Sequence, residues 1–144
     1  MRIRKINNKE MPEALDLVWN VFLKYEAPDY TESGVKEFKK TIDNNAWINE
    51  REFLGAFEKE KIIGLIATYN RNHISLFFVR EEYQKKGIGR ELFNYVLNLN
   101  SDDFFTVNSS PYAYRFYEHL GFVDTVDSIQ EVNGLKFYPM KKLI

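Results

Sequence analysis

From Phe77 to Leu92 an apolar run, Phe77-Phe78-Val79, passes through a charged turn into Gln84-Lys85-Lys86-Gly87-Ile88-Gly89-Arg90, where a helical repeat begins. A strand that empties into a Gly-spaced turn and then a helix restricts the fold strongly. It belongs to α/β architecture and sets a loop at the carboxyl end of a strand, where open α/β sheets hold ligands. The first N–H groups of such a helix lack intrahelical acceptors, and the helix dipole adds positive potential beside them. The turn is therefore a cradle for an anion, with phosphate the natural guest. Gly87 and Gly89 suit it, because a residue without Cβ reaches positive φ cheaply and lets a ligand approach the main chain.

Two known phosphate loops do not fit. The dinucleotide fingerprint needs a third Gly where this chain has Leu92, and the triphosphate loop needs a Gly-Lys-Ser/Thr sequence that is absent. No carboxylate pair or Ser/Thr marks a magnesium site by the turn, which weighs against a phosphotransferase. At 144 residues the chain is expected to form one domain over residues 1–144, and 44% hydrophobic content with 16% aromatics supplies its core. The absence of cysteine removes disulfides, thiolate metal ligands and a cysteine nucleophile together. His73 and His119 are too few for a zinc centre, so no metal is expected.

A net charge of −1 argues against a nucleic-acid partner, since phosphate backbones select a basic face. No apolar run is long enough to span a bilayer, and Met1 to Ile6 alternates charge with apolar residues as a strand does, unlike a leader peptide. A cytoplasmic location without membrane contact is the expectation.

The periodicities give an order of elements. A strand near Ile3–Ile6 is followed by a helix with Pro12 in its first turn and Leu15, Val18, Trp19 and Phe22 on one face. Glu26-Ala27-Pro28-Asp29-Tyr30 breaks it, and Thr31 caps a second helix carrying Val35, Phe38 and Ile42. Strands are expected at Phe53–Phe57, Ile62–Tyr69 and His73–Val79, then a helix from Gly89 to about Leu99 with Leu92, Phe93 and Val96 inward. Phe104–Val107 reads as a strand, Ser110-Pro111 opens a helix to about Leu120, and Gly121 ends it. Final strands near Phe122–Val126 and Leu135–Lys141 hinge at Asn133-Gly134. The order is that of an α/β domain with a mixed sheet.

Gln84-x-x-Gly87-x-Gly89 resembles the Q/R-x-x-G-x-G/A signature of the GNAT superfamily of acyl-CoA-dependent N-acyltransferases, and the order of elements resembles the GNAT fold along essentially the whole chain. The stretch from Asn108 to Phe122 is similar to the family's second block, N-x-x-A-x-x-F/L-Y-x-x-x-G-F, although its Asn falls more usually at the place of Ser110. The resemblance implies a mixed, mostly antiparallel central sheet with helices on both faces, and acetyl-CoA as acyl donor. It also assigns residues. Phe77, Phe78 and Val79 would offer main-chain groups to the pantetheine arm. Gln84, Lys85, Lys86, Gly87, Ile88, Gly89 and Arg90 would hold the pyrophosphate, with Asn108 and Ser110 also on the cofactor side.

In the family the Tyr of the second block serves the leaving thiolate, and Tyr117 occupies that place. Some members carry a Glu base on the fourth strand, where this chain has His73, on one side of the strand with Ser75 and Phe77. Other members use an acid on the fifth strand, and Phe104-Phe105-Thr106-Val107 has none, which shifts the base to His73. The amine acceptor is expected between the first two helices and the strands that follow, against Trp19, Tyr25, Tyr30 and Ser75, with Glu26, Asp29 and Glu32 attracting a cation. The implied activity is acetyl transfer from acetyl-CoA to a primary amine by direct attack in a ternary complex, the amine being a small molecule. Acetylation of a protein lysine or N-terminus, and a module that binds acyl-CoA without turnover, are the alternatives. A homodimer is left open.

Overall fold

The computed structural model describes residues 1–144. In chain order the first half comprises β1 (Arg2–Lys5), α1 (Met11–Val21), α2 (Glu32–Ile42), α3 (Asn45–Asn49), β2 (Arg51–Glu58), β3 (Lys61–Tyr69) and β4 (His73–Val79). The second half comprises α4 (Ile88–Leu99), β5 (Phe104–Ser109), α5 (Tyr114–His119), β6 (Val123–Asp124), β7 (Gln130–Val132) and β8 (Leu135–Leu143). The sheet runs β1-β2-β3-β4-β5-β8-β6, with β7 folded back on β8. Only the β4–β5 pair is parallel. This is the mixed, mostly antiparallel α/β sheet expected from the sequence.

Strand β3 is buried between its end residues because both faces of the sheet are covered there. Under α1 and α2 lie Leu17, Val18, Phe22, Ile42, Phe57 and Leu65; under α4 and α5 lie Ile66, Leu92, Phe93, Phe105, Tyr117 and Met140. The stripes of α1, α2 and α4 supply these two cores as their spacing implies. No helix is long and apolar enough to cross a membrane.

The feature that positions the site is a split in the sheet. Strand β4 pairs with β5 only at His73↔Thr106 and Ile74↔Val107, whereas β5 pairs with β8 along its full length. The β3–β4 ladder skips Ser75 between Ile74 and Leu76, a bulge that bends β4 where it leaves β5. Beyond Ile74 the two strands diverge, and the edge of β4 facing β5 has no strand partner.

Several boundaries differ from the sequence expectation. The helical course of α1 ends within the expected Glu26–Tyr30 break, but not as a regular helix. It widens into a π-type turn over Phe22–Glu26, with the Ala27 N–H bonded to the Phe22 carbonyl, and a 3₁₀ turn follows over Ala27–Asp29. Short α3 was not anticipated; Asn44 caps it, its side chain accepting the Trp47 N–H at 3.1 Å. Strand β5 continues to Ser109, so α5 starts at Tyr114 and not at Ser110. Strand β6 is confined to Val123–Asp124, and the Asn133-Gly134 hinge is the turn of a β7–β8 hairpin that the apolar pattern did not reveal. Asn133 (φ 53°) and Gly134 (φ 82°) both take left-handed backbone, as a two-residue hairpin turn requires. A Cβ on Gly34 in α2 would collide with the Gly134 carbonyl, so glycine on both sides lets the hairpin tip sit on the helix.

Candidate active site

The loop after β4 is a backbone device. Gly87 holds φ 84° as the N-cap of α4, and Lys85 is also left-handed at φ 63°. The Glu91 N–H to Gly87 carbonyl bond is the first of the helix, at 3.0 Å. The N–H groups from Lys85 to Arg90 bond to nothing in the protein, leaving a run of donors at the positive end of the helix. Gly89 is helical and serves packing instead, since a Cβ there would stand 2.9 Å from the Phe116 ring. Close approach of α4 to α5 thus requires Gly89, while the turn requires Gly87.

This loop is the wall of a groove of about 360 Å³ along β4, reached by Val79, Tyr83, Lys85 and Arg90 and closed at one side by Tyr112 and Phe116. Gln84 braces it, donating from Nε2 to the Val79 carbonyl at 2.9 Å and accepting the Tyr112 hydroxyl at 3.1 Å. Tyr112 in turn stacks on Tyr25, with centroids 4.9 Å apart. A second cavity of about 330 Å³ opens on the other side of the split, between α2, the β7–β8 hairpin and the ends of β4 and β5. Glu26, Phe77, Phe78 and Ala113 line both spaces and so mark their junction.

Glu26 stands at that junction, and Tyr117 lines the second cavity beside Phe77. The Glu26 carboxyl is pushed up to about 7, first by burial and then by the nearby Asp29 charge, against a hydrogen bond from Ser110 that favours the ionised form. The π-type turn delivers it, because the widened turn ends on Glu26. Tyr117 is 4% exposed, its ring fixed by Phe77, Phe116 and Phe122 at centroid distances of 5.5–6.1 Å. Its hydroxyl makes no hydrogen bond to the protein, and burial together with the Glu26 charge holds it protonated well above the ordinary tyrosine value. One end of the second cavity thus offers a proton acceptor poised near neutrality and a proton donor that does not ionise.

The comparisons with known proteins bear on this arrangement. Residues 26–144 match the family described as Acetyltransferase (GNAT) domain. The chain belongs to the GNAT acetyltransferase family. Among solved structures it resembles a GCN5-related N-acetyltransferase from Rhodopseudomonas palustris, with TM-score 0.85, 19% identity, and coverage of 99% of this chain and 95% of the other. It also resembles the PaiA N-acetyltransferase of Thermoplasma acidophilum in complex with coenzyme A, with TM-score 0.76, 18% identity and coverage of 99% and 98%. The aminoglycoside 6′-N-acetyltransferase from Enterococcus faecium superposes at TM-score 0.63 with 16% identity over 99% and 97% of the two chains. At these identities the likeness is one of fold. No curated protein matches in sequence.

In this GNAT domain the expected site residues are distributed unevenly. Phe77, Phe78, Val79, Gln84, Lys85, Gly87, Ile88, Gly89 and Arg90 line the groove, while Lys86 lies outside its lining with its ammonium 5.7 Å from the Tyr83 ring. Asn108 and Ser110, expected on the cofactor side, line the second cavity with Ser75, Tyr30 and Tyr117. Ser110 Oγ accepts the Ala113 N–H at 3.2 Å. Trp19 lines neither space; it stacks on Phe22 at 5.7 Å and packs against the core. Tyr25 reaches the groove only through Tyr112.

His73 also lines neither space. The reason is the register: β4 and β5 are still paired at His73↔Thr106, and the split opens only after Ile74. The His73 Nδ1 shares a 2.8 Å hydrogen bond with the Thr106 hydroxyl, and burial plus the Arg51 charge lower its pKa. Arg51 lies between Trp47 and Tyr69, at 3.8 and 4.7 Å from their centroids, and donates to Ser75 Oγ at 3.0 Å. Glu26, read in the sequence as one of three carboxylates attracting a cation, stands where the two spaces meet. Its position among Phe22, Tyr25 and Tyr30 was the available signal, since a carboxylate among aromatics tends to be desolvated.

Proposed function

We propose that the protein transfers the acetyl group of acetyl-CoA to the primary amine of a small molecule by direct attack in a ternary complex. The observation that carries this reading is the junction of an anion-binding groove with a cavity holding Glu26 and Tyr117. The groove would take acetyl-CoA, its pyrophosphate on the Lys85–Arg90 N–H groups and its pantetheine arm beside the unpaired edge of β4, which aims the thioester at the split.

Glu26 is proposed as the base in place of His73. An alkylammonium has a pKa of roughly 10.4, so transfer of its proton to an ordinary carboxylate is uphill by about 6 units, or about 8 kcal/mol. A carboxylate at about 7 reduces the gap to roughly 3 units. The freed amine attacks the thioester carbon, the C–N bond forms, and the C–S bond breaks with its electron pair on sulfur. Tyr117 stabilises that sulfur by donating a hydrogen bond, which suits a hydroxyl that does not ionise. The nitrogen gives up its second proton and sulfur gains one, so thioester and ammonium become amide, thiol and one proton.

Thiol release from acetyl-CoA in the presence of amines tests the activity, and its pH profile tests the base. Glu26 must be ionised to accept a proton, so kcat/KM is expected to rise with pH through about 7. Glu26→Gln should remove that limb and lower kcat/KM by about 10²–10³-fold while acetyl-CoA still binds in calorimetry. A Glu26→Gln enzyme with the wild-type pH limb would contradict the assignment.

A further inference from the structure

The cavity on the acceptor side has a charge and surface pattern that restricts its guest. Its deep end holds Glu26 and Tyr117; its mouth is formed by exposed hairpin residues, Asn133 and Lys136 among them, facing Glu37 and Thr41 of α2. Between the ends the walls formed by α2 and the hairpin are apolar, while Ser75, Asn108, Ser109 and Ser110 line the side of the diverging strands. Phe38 and Tyr30 form one side, each stacked on the fully buried Phe22, with centroid distances of 3.9 and 5.6 Å. Leu135 and Phe137 of the hairpin form the other. The Phe38–Phe22 pair is parallel within 2°, so this wall is fixed before a ligand arrives.

Charge narrows the choice further. The only charged side chains in the lining are Glu26, Glu37 and Lys136. Neither Glu37 nor Lys136 takes part in an ion pair. With Glu26 ionised, two carboxylates against one ammonium leave a single negative charge, which one ammonium group on the ligand neutralises. A ligand with a further cationic group would exceed that single negative charge and would meet Lys136 beside Glu37 at the mouth. The volume of about 330 Å³ stands at the small end of the ~300–1,000 Å³ typical of ligand cavities.

We propose that this cavity selects a primary monoamine carried on an aromatic or branched apolar body, with the amine at Glu26 and the apolar body between Phe38 and Phe137. The inference rests on the acetyl-transfer reading above and specifies its acceptor class. In it Lys136 is a specificity-determining residue that repels a second positive charge at the mouth.

The experiment compares kcat/KM for 2-phenylethylamine and isoamylamine with that for spermidine and for a short peptide containing lysine, using acetyl-CoA and thiol release. The apolar monoamines are expected to lead by at least tenfold. Lys136→Glu, an exposed change, should lower the phenylethylamine-to-spermidine ratio by at least threefold, and by less at high salt. Faster transfer to spermidine or to the peptide, or a ratio that Lys136→Glu leaves unmoved, overturns the acceptor class and leaves the acetyl-transfer reading standing. No turnover with any amine, while calorimetry shows acetyl-CoA bound, overturns the catalytic reading and this inference with it.

Discussion

The groove along β4 and the cavity beside the β7–β8 hairpin meet at Glu26, yet they are made in opposite ways. The groove draws its anion site from one continuous segment, Lys85–Arg90, and offers mostly backbone N–H groups. The cavity is assembled from α2, the β7–β8 hairpin, the end of α1 and two diverging strands, and offers side chains. A backbone site tolerates most sequences so long as the turn forms, whereas a side-chain site changes with every substitution in its walls. Under the proposed reaction that contrast suits the groove to a constant cosubstrate and the cavity to the choice of a variable one.

The sharpest way to break that division is beside the junction. Tyr117→Phe should lower kcat by about 10²-fold with acetyl-CoA affinity within twofold, because the hydroxyl has no protein partner to lose and the ring packing is kept. Unchanged kcat in this variant on an identified acceptor would remove Tyr117 from the chemistry. On the groove side, Gly87→Asp adds a carboxylate where a Cβ would meet nothing within 4 Å, at a left-handed position that Asp tolerates better than most residues. Acetyl-CoA affinity is expected to fall by at least tenfold in calorimetry, with circular dichroism unchanged. Affinity that survives would place the pyrophosphate elsewhere.

The smallest effect is expected outside both spaces. His73→Gln should change kcat/KM by less than twofold and leave the pH limb near 7 in place, because the ring lies where β4 and β5 are still paired and its pKa is lowered, not poised. Loss of the limb in this variant would return the base to His73 and merge the two regions' roles at another point of β4.

Much of the fold was legible. The apolar stripes of α1, α2 and α4 and the run of β3 stand where their periods put them, since burial on one face or both leaves its mark on residue type. What escaped was short or depended on partners. Helix α3 has five residues and β7 three, too few for a period to show, although Asn133-Gly134 was a hairpin signal in plain view. The same contrast holds at the site. The Gln84–Arg90 cradle is local, and its Gly spacing and basic residues are sufficient to read it, because turn geometry is set by neighbours in the chain.

The sequence alone determined the two-sided α/β sheet, the anion turn and Tyr117 as a residue of interest. Tertiary structure decided the rest. Only the register of β4 against β5, interrupted after Ile74, moves His73 out of the cleft, and only the widened turn at the end of α1 brings Glu26 into it. Alternation along a strand cannot foresee a split, since it depends on where a neighbouring strand stops pairing. Nor can spacing foresee the proton affinity of Glu26, which burial at the junction raises and Ser110, far from it in the chain, tempers.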